Sequence, residues 1–389
     1  MPMSSSFQST PFISHRITSI DALRGLVILL MLVDHTREFF FLHAQVSDPM
    51  NVNSTSPALF FTRLAAHLCA PIFVALTGLA ACIYGERKGS RQAASAFLFK
   101  RGLFLIALEW TVINFAWTFD VTASFVYLQV IWVIGLSMVA LSGLLYLPRA
   151  WLLVLAAVIV LGHNLLDSIS FMPGELGYTP WTILHDRGIL GLPWGGQART
   201  SYPLLPWIGA IALGYSIGPW FAATVTAQAR GRRLMLTGGA CLLLFLLLRM
   251  INVYGEPVPW TMQDDLLHTL MSFVNLTKYP PSADFLLLTL GCGCMLLYLL
   301  ERLPKVTIGW LLAFGSAPLF FYILHLYLLH GLNRISASLL SPEQSGLISV
   351  PSVGFIWLLA AVVAVPCWFA CRYFAECKRS SSAWWMRYL

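Results

Sequence analysis

Charge is what this sequence has least of. Of its 389 residues only 11% are Asp, Glu, Lys or Arg while 58% are hydrophobic, and the mean hydropathy is +0.74. Soluble globular chains carry about 25% charged residues, so this composition excludes one and implies a polytopic membrane protein. The first 16 residues have no apolar core and no small-residue cleavage site, so no signal peptide is read and the first apolar helix is expected to stay. Cysteine is no framework either. Seven of the eight fall in apolar stretches and Cys377 on the tail, and Cys292-Gly-Cys294 lacks the spacing and partner ligands of a zinc site, so no metal is expected. No soluble domain, internal repeat or low-complexity tract beyond the Ser-rich start is read.

What is present is apolar length. Ten hydrophobic stretches of about bilayer length are read at 17–42, 61–84, 97–118, 126–147, 150–166, 203–222, 234–254, 284–301, 307–331 and 350–374. Sixteen of the 24 Lys and Arg, from Arg16 through Lys100 and Arg101 to Arg387, fall at ends sharing a side with the N-terminus, against seven at the opposite ends. The positive-inside rule then puts both termini in the cytoplasm. The expected fold is all-α: a polytopic integral membrane helix bundle of about ten transmembrane helices, with a tail 1–16, a membrane domain 17–374 and a tail 375–389, in the cell inner membrane. The net charge of +7 is thereby absorbed by orientation, so no nucleic-acid partner is expected. Lipid surrounds the chain, and a homo-oligomer stays open.

Long connections fall on the outer side, at 43–60, 167–202 and 255–283, and long ordered loops usually carry function. The Gly- and Pro-rich 167–202 segment is expected to be irregular, and Trp260 to Phe273 to form a short interfacial helix. Trp181, Trp194, Trp207 and Trp260 suit either a sugar-stacking platform or the aromatic belt.

The chain is organised around RITSIDALRGLVILLMLVDHTREFFF, residues 16–41. Its apolar centre is bracketed by Asp21 and Arg24 at one end and by Asp34, His35 and Arg37 at the other. Ionisable groups near lipid are costly and should face protein or water. From Arg24 to His35 is eleven residues, about 1100° of helix, roughly 20° past three turns, with a rise of about 16.5 Å. A cation and an imidazole therefore share one stripe, one near each membrane face. Asp21–Arg24 and Asp34–Arg37 also suit simple pairing along the helix. His35 has the pKa range for proton transfer at neutral pH. His43, in the loop beyond, and His67, in HLCAP, are reserve candidates for base or substrate contact. His325 and His330, five residues apart, project about 140° from each other and cannot both line one helix face. His163, in GHNLLD, reads as an interfacial or capping residue. Glu109, deep in the third stretch, needs a cation or a proton, and either closes a network with Arg24 or His35 or makes an interhelical hydrogen bond. Lys278, in the third outer loop, is a further candidate.

The motifs SIDALRG, LMLVDHTREFF, HLCAPIFVALTG, KRGLFLIAL, LQVIWVIGLSM, GHNLLD, YPLLPWIGAIALGY, NLTKYPPSADFLLLTLG and FFYILHLYLLH resemble, in order and over almost the whole chain, those of the bacterial membrane proteins grouped with heparan-alpha-glucosaminide N-acetyltransferase. The Arg24-to-His35 spacing also resembles the Arg-x10-His signature of transmembrane acyltransferases that decorate cell-surface sugars, where both residues are regarded as essential. The resemblance implies acetyl transfer from cytosolic acetyl-CoA to a sugar or glycan acceptor on the far side, with Arg24, Asp21 and Arg37 toward the donor and His35, Asp34 or His43 at the chemistry. The two resemblances differ on the histidine. The animal enzyme has an amide at the position of Asp34 and its catalytic histidine in a segment similar to FLHAQ, which points to His43, whereas the Arg-x10-His signature points to His35. Near the ninth stretch, Ser316 and Ala317 stand where relatives carry Arg-Val. Direct transfer and an acetyl-histidine intermediate are both open. The competing reading is a transporter or flippase of a small metabolite or lipid-linked sugar, with the intramembrane Asp, Glu and His as a proton relay. Against it stand the Arg24-to-His35 stripe and the absence of a repeat of broken helices.

Overall fold

The computed structural model describes residues 17–122, 124–340, 348–381, 383 and 386. Arg16, Arg387 and the 1–16 tail lie outside the described residues. In chain order the helices are α1 (Thr18–Phe40), α2 (Pro57–Ala66), α3 (Cys69–Lys88), α4 (Arg91–Leu108), α5 (Asn114–Thr118), α6 (Val130–Leu144), α7 (Arg149–Gly162), α8 (Tyr178–Leu184), α9 (Leu205–Ser216), α10 (Ala227–Ile251), α11 (Leu266–Val274), α12 (Ala283–Arg302), α13 (Lys305–Ser316), α14 (Pro318–Leu340) and α15 (Val353–Ser380). Each expected apolar stretch contains helix, and the one at 126–147 opens on a short strand, Phe125–Leu128, before its helix begins. Among the described residues, five helical runs are long and apolar enough to cross a membrane, or six if the bent pair α13 and α14 is one span.

α1 is the hub. It packs against α2, α3, α12, α13, α14 and α15, and most of its residues, including Asp21, Asp34 and Arg37, are buried. Apolar side chains gain little by leaving lipid for protein, so close backbone approach has to supply the packing. A Cβ on Gly25 would stand 2.2 Å from the carbonyl oxygen of Leu311, and one on Gly315 would stand 1.8 Å from that of Asp21. α1 and α13 therefore cross glycine against backbone at two points. α3 and α9 do the same through Gly78 and Gly214.

The ninth expected stretch is not one straight helix: α13 and α14 meet at 76°. Ala317 leaves helical geometry (φ −138°, ψ 57°), and Pro318 opens α14 with no N–H to continue the ladder. The third stretch also changes winding. Glu109–Ile113 forms a π-helical turn between α4 and α5, an irregularity that tends to occur at functional sites.

The fold also departs from all-α. β1 (Phe125–Leu128), β2 (Gly188–Gly191) and β3 (Gln197–Thr200) form a small sheet in the order β1-β3-β2, with β1 parallel and β2 antiparallel to β3. The 167–202 segment is therefore structured, and its glycines mark a hairpin: Gly195 takes φ +90° in the turn between β2 and β3, and every second residue of β3 is buried. The helix expected over Trp260 to Phe273 is shorter. α11 starts only where the Asp265 carboxylate accepts the His268 N–H. The 255–283 loop is knotted by the buried Arg249 guanidinium, which donates to the carbonyls of Val258, Ser272, Phe273 and Asn275 at 2.7–3.1 Å.

Candidate functional site

The last two turns of α1 open onto a cavity of about 740 Å³. Cys69 and Thr77, eight residues apart on α3, both line it, so it runs about 12 Å along that helix. At one end stand the loop residues Asp48, Arg187 and Lys278, and deeper along α3 and α4 stand Thr77 and Arg101.

Asp34 and His35 are neighbours with different surroundings. Asp34 Oδ1 accepts from Arg37 Nε at 3.1 Å and Oδ2 from Arg63 Nη1 at 2.5 Å, which ties α1 to α2. Its oxygens are committed. Arg37 is 1% exposed and also meets Glu38 and, at 3.4 Å, Gln45. His35 is half-buried in the cavity wall. Its Nδ1 lies 2.6 Å from His325 Nε2, and the two rings lie end to end, nearly coplanar, with centres 4.9 Å apart and planes 7° apart. Trp117 and Tyr322 meet the His35 ring edge-on at 5.1 and 5.9 Å.

The remaining candidates disperse. Arg24 does not line the cavity: it donates to Asp21 at 3.2 Å and to the Leu76 carbonyl at 3.4 Å, and Asp21 and Arg37 lie off the lining with it. The deep cation of the cavity is Arg101, whose Nε is buried without a hydrogen-bond partner. His43 is exposed on the turn after α1, its ring 4.3 Å from that of Phe41. His67 is buried beside Phe285 at 5.2 Å, off the lining. Glu109 joins neither Arg24 nor His35. Its oxygens accept the backbone N–H groups of Gln129 and Trp132 at 3.3 and 3.0 Å, so it caps the start of α6, where the helix dipole favours a carboxylate. His330 bonds the Ala116 carbonyl at 2.9 Å, while His325 alone faces His35. His163 spans the Ile159 and Pro281 carbonyls at 3.0 and 2.8 Å.

Lys278 is 4% exposed. Its ammonium stands 5.1 and 6.0 Å from the ring centres of Tyr279 and Tyr202, while its backbone N–H is held by Asp48 at 3.1 Å. Arg187 covers the same Tyr279 ring at 4.9 Å. Burial raises the Asp48 pKa, with Arg63 and Lys278 pulling the other way, so the mouth of the cavity is dominated by cations. None of the four singled-out tryptophans lines the cavity; Trp207 is wholly buried, Trp181 donates to the Ile169 carbonyl and Trp260 to that of Arg249. Sequence reasoning missed Trp117, Tyr322 and Arg101. Arg101 had a signal, a cation near one end of an apolar stretch, and the aromatics had none. Among the described residues, no group of three or more His, Cys, Asp or Glu could hold a metal ion.

A family model described as heparan-alpha-glucosaminide N-acetyltransferase, catalytic, matches residues 16–250. That is more than half of the chain, and it takes in His35, Arg63 and Arg101. No curated protein matches the chain.

Proposed function

The chain belongs to the heparan-alpha-glucosaminide N-acetyltransferase family, which implies a transmembrane acetyltransferase, and from that premise we propose that it moves an acetyl group from cytosolic acetyl-CoA to a sugar or glycan acceptor on the outer side of the cell inner membrane. The bundle then has about ten spans with both termini cytoplasmic, in keeping with the charge asymmetry of its loop ends. The observation that carries the reading is the imidazole of His35, held by His325 in the wall of a cavity that has Arg101 deep within it and Lys278 at its mouth.

In the proposed reaction the donor's phosphates are drawn toward Arg101, a guanidinium suited to them, and the acceptor enters past Lys278 and Arg187. The acceptor's amine or hydroxyl attacks the thioester carbonyl while His35 takes its proton. A bond forms from acceptor nitrogen or oxygen to the acetyl carbon, the C–S bond breaks, and the His35 proton passes to the departing thiolate. The bond to His325 restricts ring rotation at the moment of transfer, which favours the direct route by preorganisation.

The test is release of CoA thiol from acetyl-CoA by the purified protein against a panel of amino sugars and glycans, with mass analysis of the acceptor. Acceptor-dependent thiol release with one acetyl gained per thiol is the expected result. Movement of a sugar across vesicles with no acetyl-CoA consumed would overturn the reading in favour of transport.

A further inference from the structure

His325 donates from Nδ1 to the carbonyl oxygen of Phe321 at 2.8 Å. A carbonyl can only accept, so Nδ1 carries the proton, and a neutral imidazole then presents a lone pair at Nε2. That lone pair lies 2.6 Å from Nδ1 of His35. Two lone pairs cannot share the line, so His35 donates from Nδ1 and keeps its own lone pair on Nε2. The direction of the whole chain is set by one backbone carbonyl one turn back on α14.

We propose that His325 is a positioning residue for acyl transfer: through this hydrogen bond it fixes His35 in the tautomer whose basic nitrogen is Nε2 and restrains the ring. The two rings are nearly coplanar, their centres 4.9 Å apart and their planes 7° apart, so the bond runs end to end in the ring plane, and Trp117 and Tyr322 stand nearly perpendicular to the His35 ring beside it. Without the partner, the imidazole could rotate about χ2 and place a protonated nitrogen where the base is needed.

The choice of partner has a chemical consequence. The nearest carboxylate, Asp34, is taken by Arg37 and Arg63, so His35 leans on a neutral ring rather than on an anion. When His35 gains a proton at Nε2 it becomes an imidazolium whose Nδ1–H still donates to His325, and the chain of bonds keeps its direction. A neutral partner stabilises that cation less than a carboxylate would, so the proton is more readily returned to a leaving thiolate. The matched family stretch ends at residue 250, and His325 lies beyond it.

The kinetic arm of the test rests on the reading of His35 as the base; the spectroscopic arm does not. Full-length protein labelled with 15N-histidine in lipid discs reports each ring nitrogen, with the His35 signals assigned by their loss in His35→Gln. The expected result is a His35 protonated at Nδ1 in the wild type and a mixture of tautomers in His325→Leu. His325→Gln can still accept from Nδ1 through its amide oxygen, so it should restore the wild-type tautomer. In turnover, His325→Leu should lower kcat about 10- to 100-fold, the span seen when a group that orients a histidine is removed, with KM for acetyl-CoA little changed and with most of the loss recovered in His325→Gln. A wild-type His35 protonated at Nε2, or equal kcat for the Leu and Gln variants, would overturn the proposal. A correct tautomer together with full activity in His35→Ala would instead overturn the catalytic reading and leave the tautomer assignment standing.

Discussion

Asp34 divides its carboxylate between two helices, giving one oxygen to Arg37 on its own helix and the other to Arg63 on α2. Each oxygen holds a guanidinium, so where it lines the cavity the Asp34 carboxylate clamps α1 to α2. Removing one partner of a buried ion pair strands a buried charge and costs about 3–5 kcal/mol. Asp34→Ala, which strands two guanidinium groups, should therefore lower the thermal midpoint in detergent sharply. Asp34→Asn keeps an acceptor oxygen and the shape, so it should retain fold and most acetyl transfer. If Asn abolished turnover with an unchanged midpoint, the carboxylate would belong to the chemistry after all.

The crossing of α1 and α13 leaves no space for a side chain at Gly25 or Gly315. A methyl group at Gly315 would overlap the Asp21 carbonyl, and backbone cannot rotate away as a side chain can. Gly315→Ala should reduce folded yield in fluorescence-detected size exclusion. At Gly143 a Cβ meets nothing within 4 Å, so Gly143→Ala should be neutral or slightly favourable. Equal yields for the two variants would mean that the helices do not approach this closely.

His185 ties the 167–202 loop to the end of α7. It is 1% exposed, with Nε2 at 3.3 Å from Asp167 and 3.2 Å from the His163 carbonyl and Nδ1 at 3.1 Å from Asp186; the Trp181 ring stacks on it at 4.9 Å and the His163 ring lies 6.3 Å away. Burial disfavours the imidazolium, yet the hydrogen bonds to Asp167 and Asp186 outweigh it and lift the pKa above the ordinary 6.5. A raised folded-state pKa contributes stability that is complete below the unfolded value and is lost as pH rises through the folded one. Amide exchange across 178–187, corrected for intrinsic rates, should be slower at about pH 5.5 than at about pH 8.5. His185→Gln should remove the difference. Faster opening in acid for the wild type would reverse the sign and sink the argument.

Legibility followed the range of the interactions. Apolar runs are written residue by residue, so composition located the helical stretches, whereas the 76° bend before Pro318 falls inside a stretch read as continuous from 307 to 331. The sheet was not legible, because β1 and β3 pair across some 70 residues and the Gly and Pro that bound the hairpin read equally well as loop. The site divided in the same way. His35 stood out as an imidazole at membrane depth, whereas its partner His325 lies 290 residues away, and helix geometry says only that it cannot share a face with His330. Glu109 showed its need for a partner but not the partner, since backbone N–H groups at a helix start have no sequence signature.

The deep cation of the cavity is a second point on which helix geometry and tertiary packing part. Arg24 shares the stripe of His35 but turns to Asp21 and the Leu76 carbonyl, while Arg101 lines the cavity. Arg101→Ala should weaken CoA binding by about 1.5–3 kcal/mol, the worth of a charge-assisted hydrogen bond, and Arg101→Lys should restore only part of it for want of the planar fork. Arg24→Ala should change CoA affinity less. Calorimetric titration that found the larger loss in Arg24→Ala would return the donor's anions to the α1 stripe.

The base is the point on which family resemblance and geometry separate most clearly. His43 sits exposed on a turn with Phe41 against its ring, and among the described residues no hydrogen bond fixes either nitrogen. His35 lines the cavity, with Nδ1 engaged by His325 at 2.6 Å and two further aromatic rings, Trp117 and Tyr322, around it. A general base works from a fixed position, so His35→Ala should lose acetyl transfer by roughly two to four orders of magnitude while CoA titration stays near wild type. His43→Ala should keep turnover within about tenfold, as a residue outside the hydrogen-bonded chain contributes no general-base step. Measured on the same preparation, the two variants settle the role between them. Loss of turnover in His43→Ala, with His35→Ala affecting only folded yield, would move the chemistry to the outer loop and leave the histidine pair as a packing device between α1 and α14.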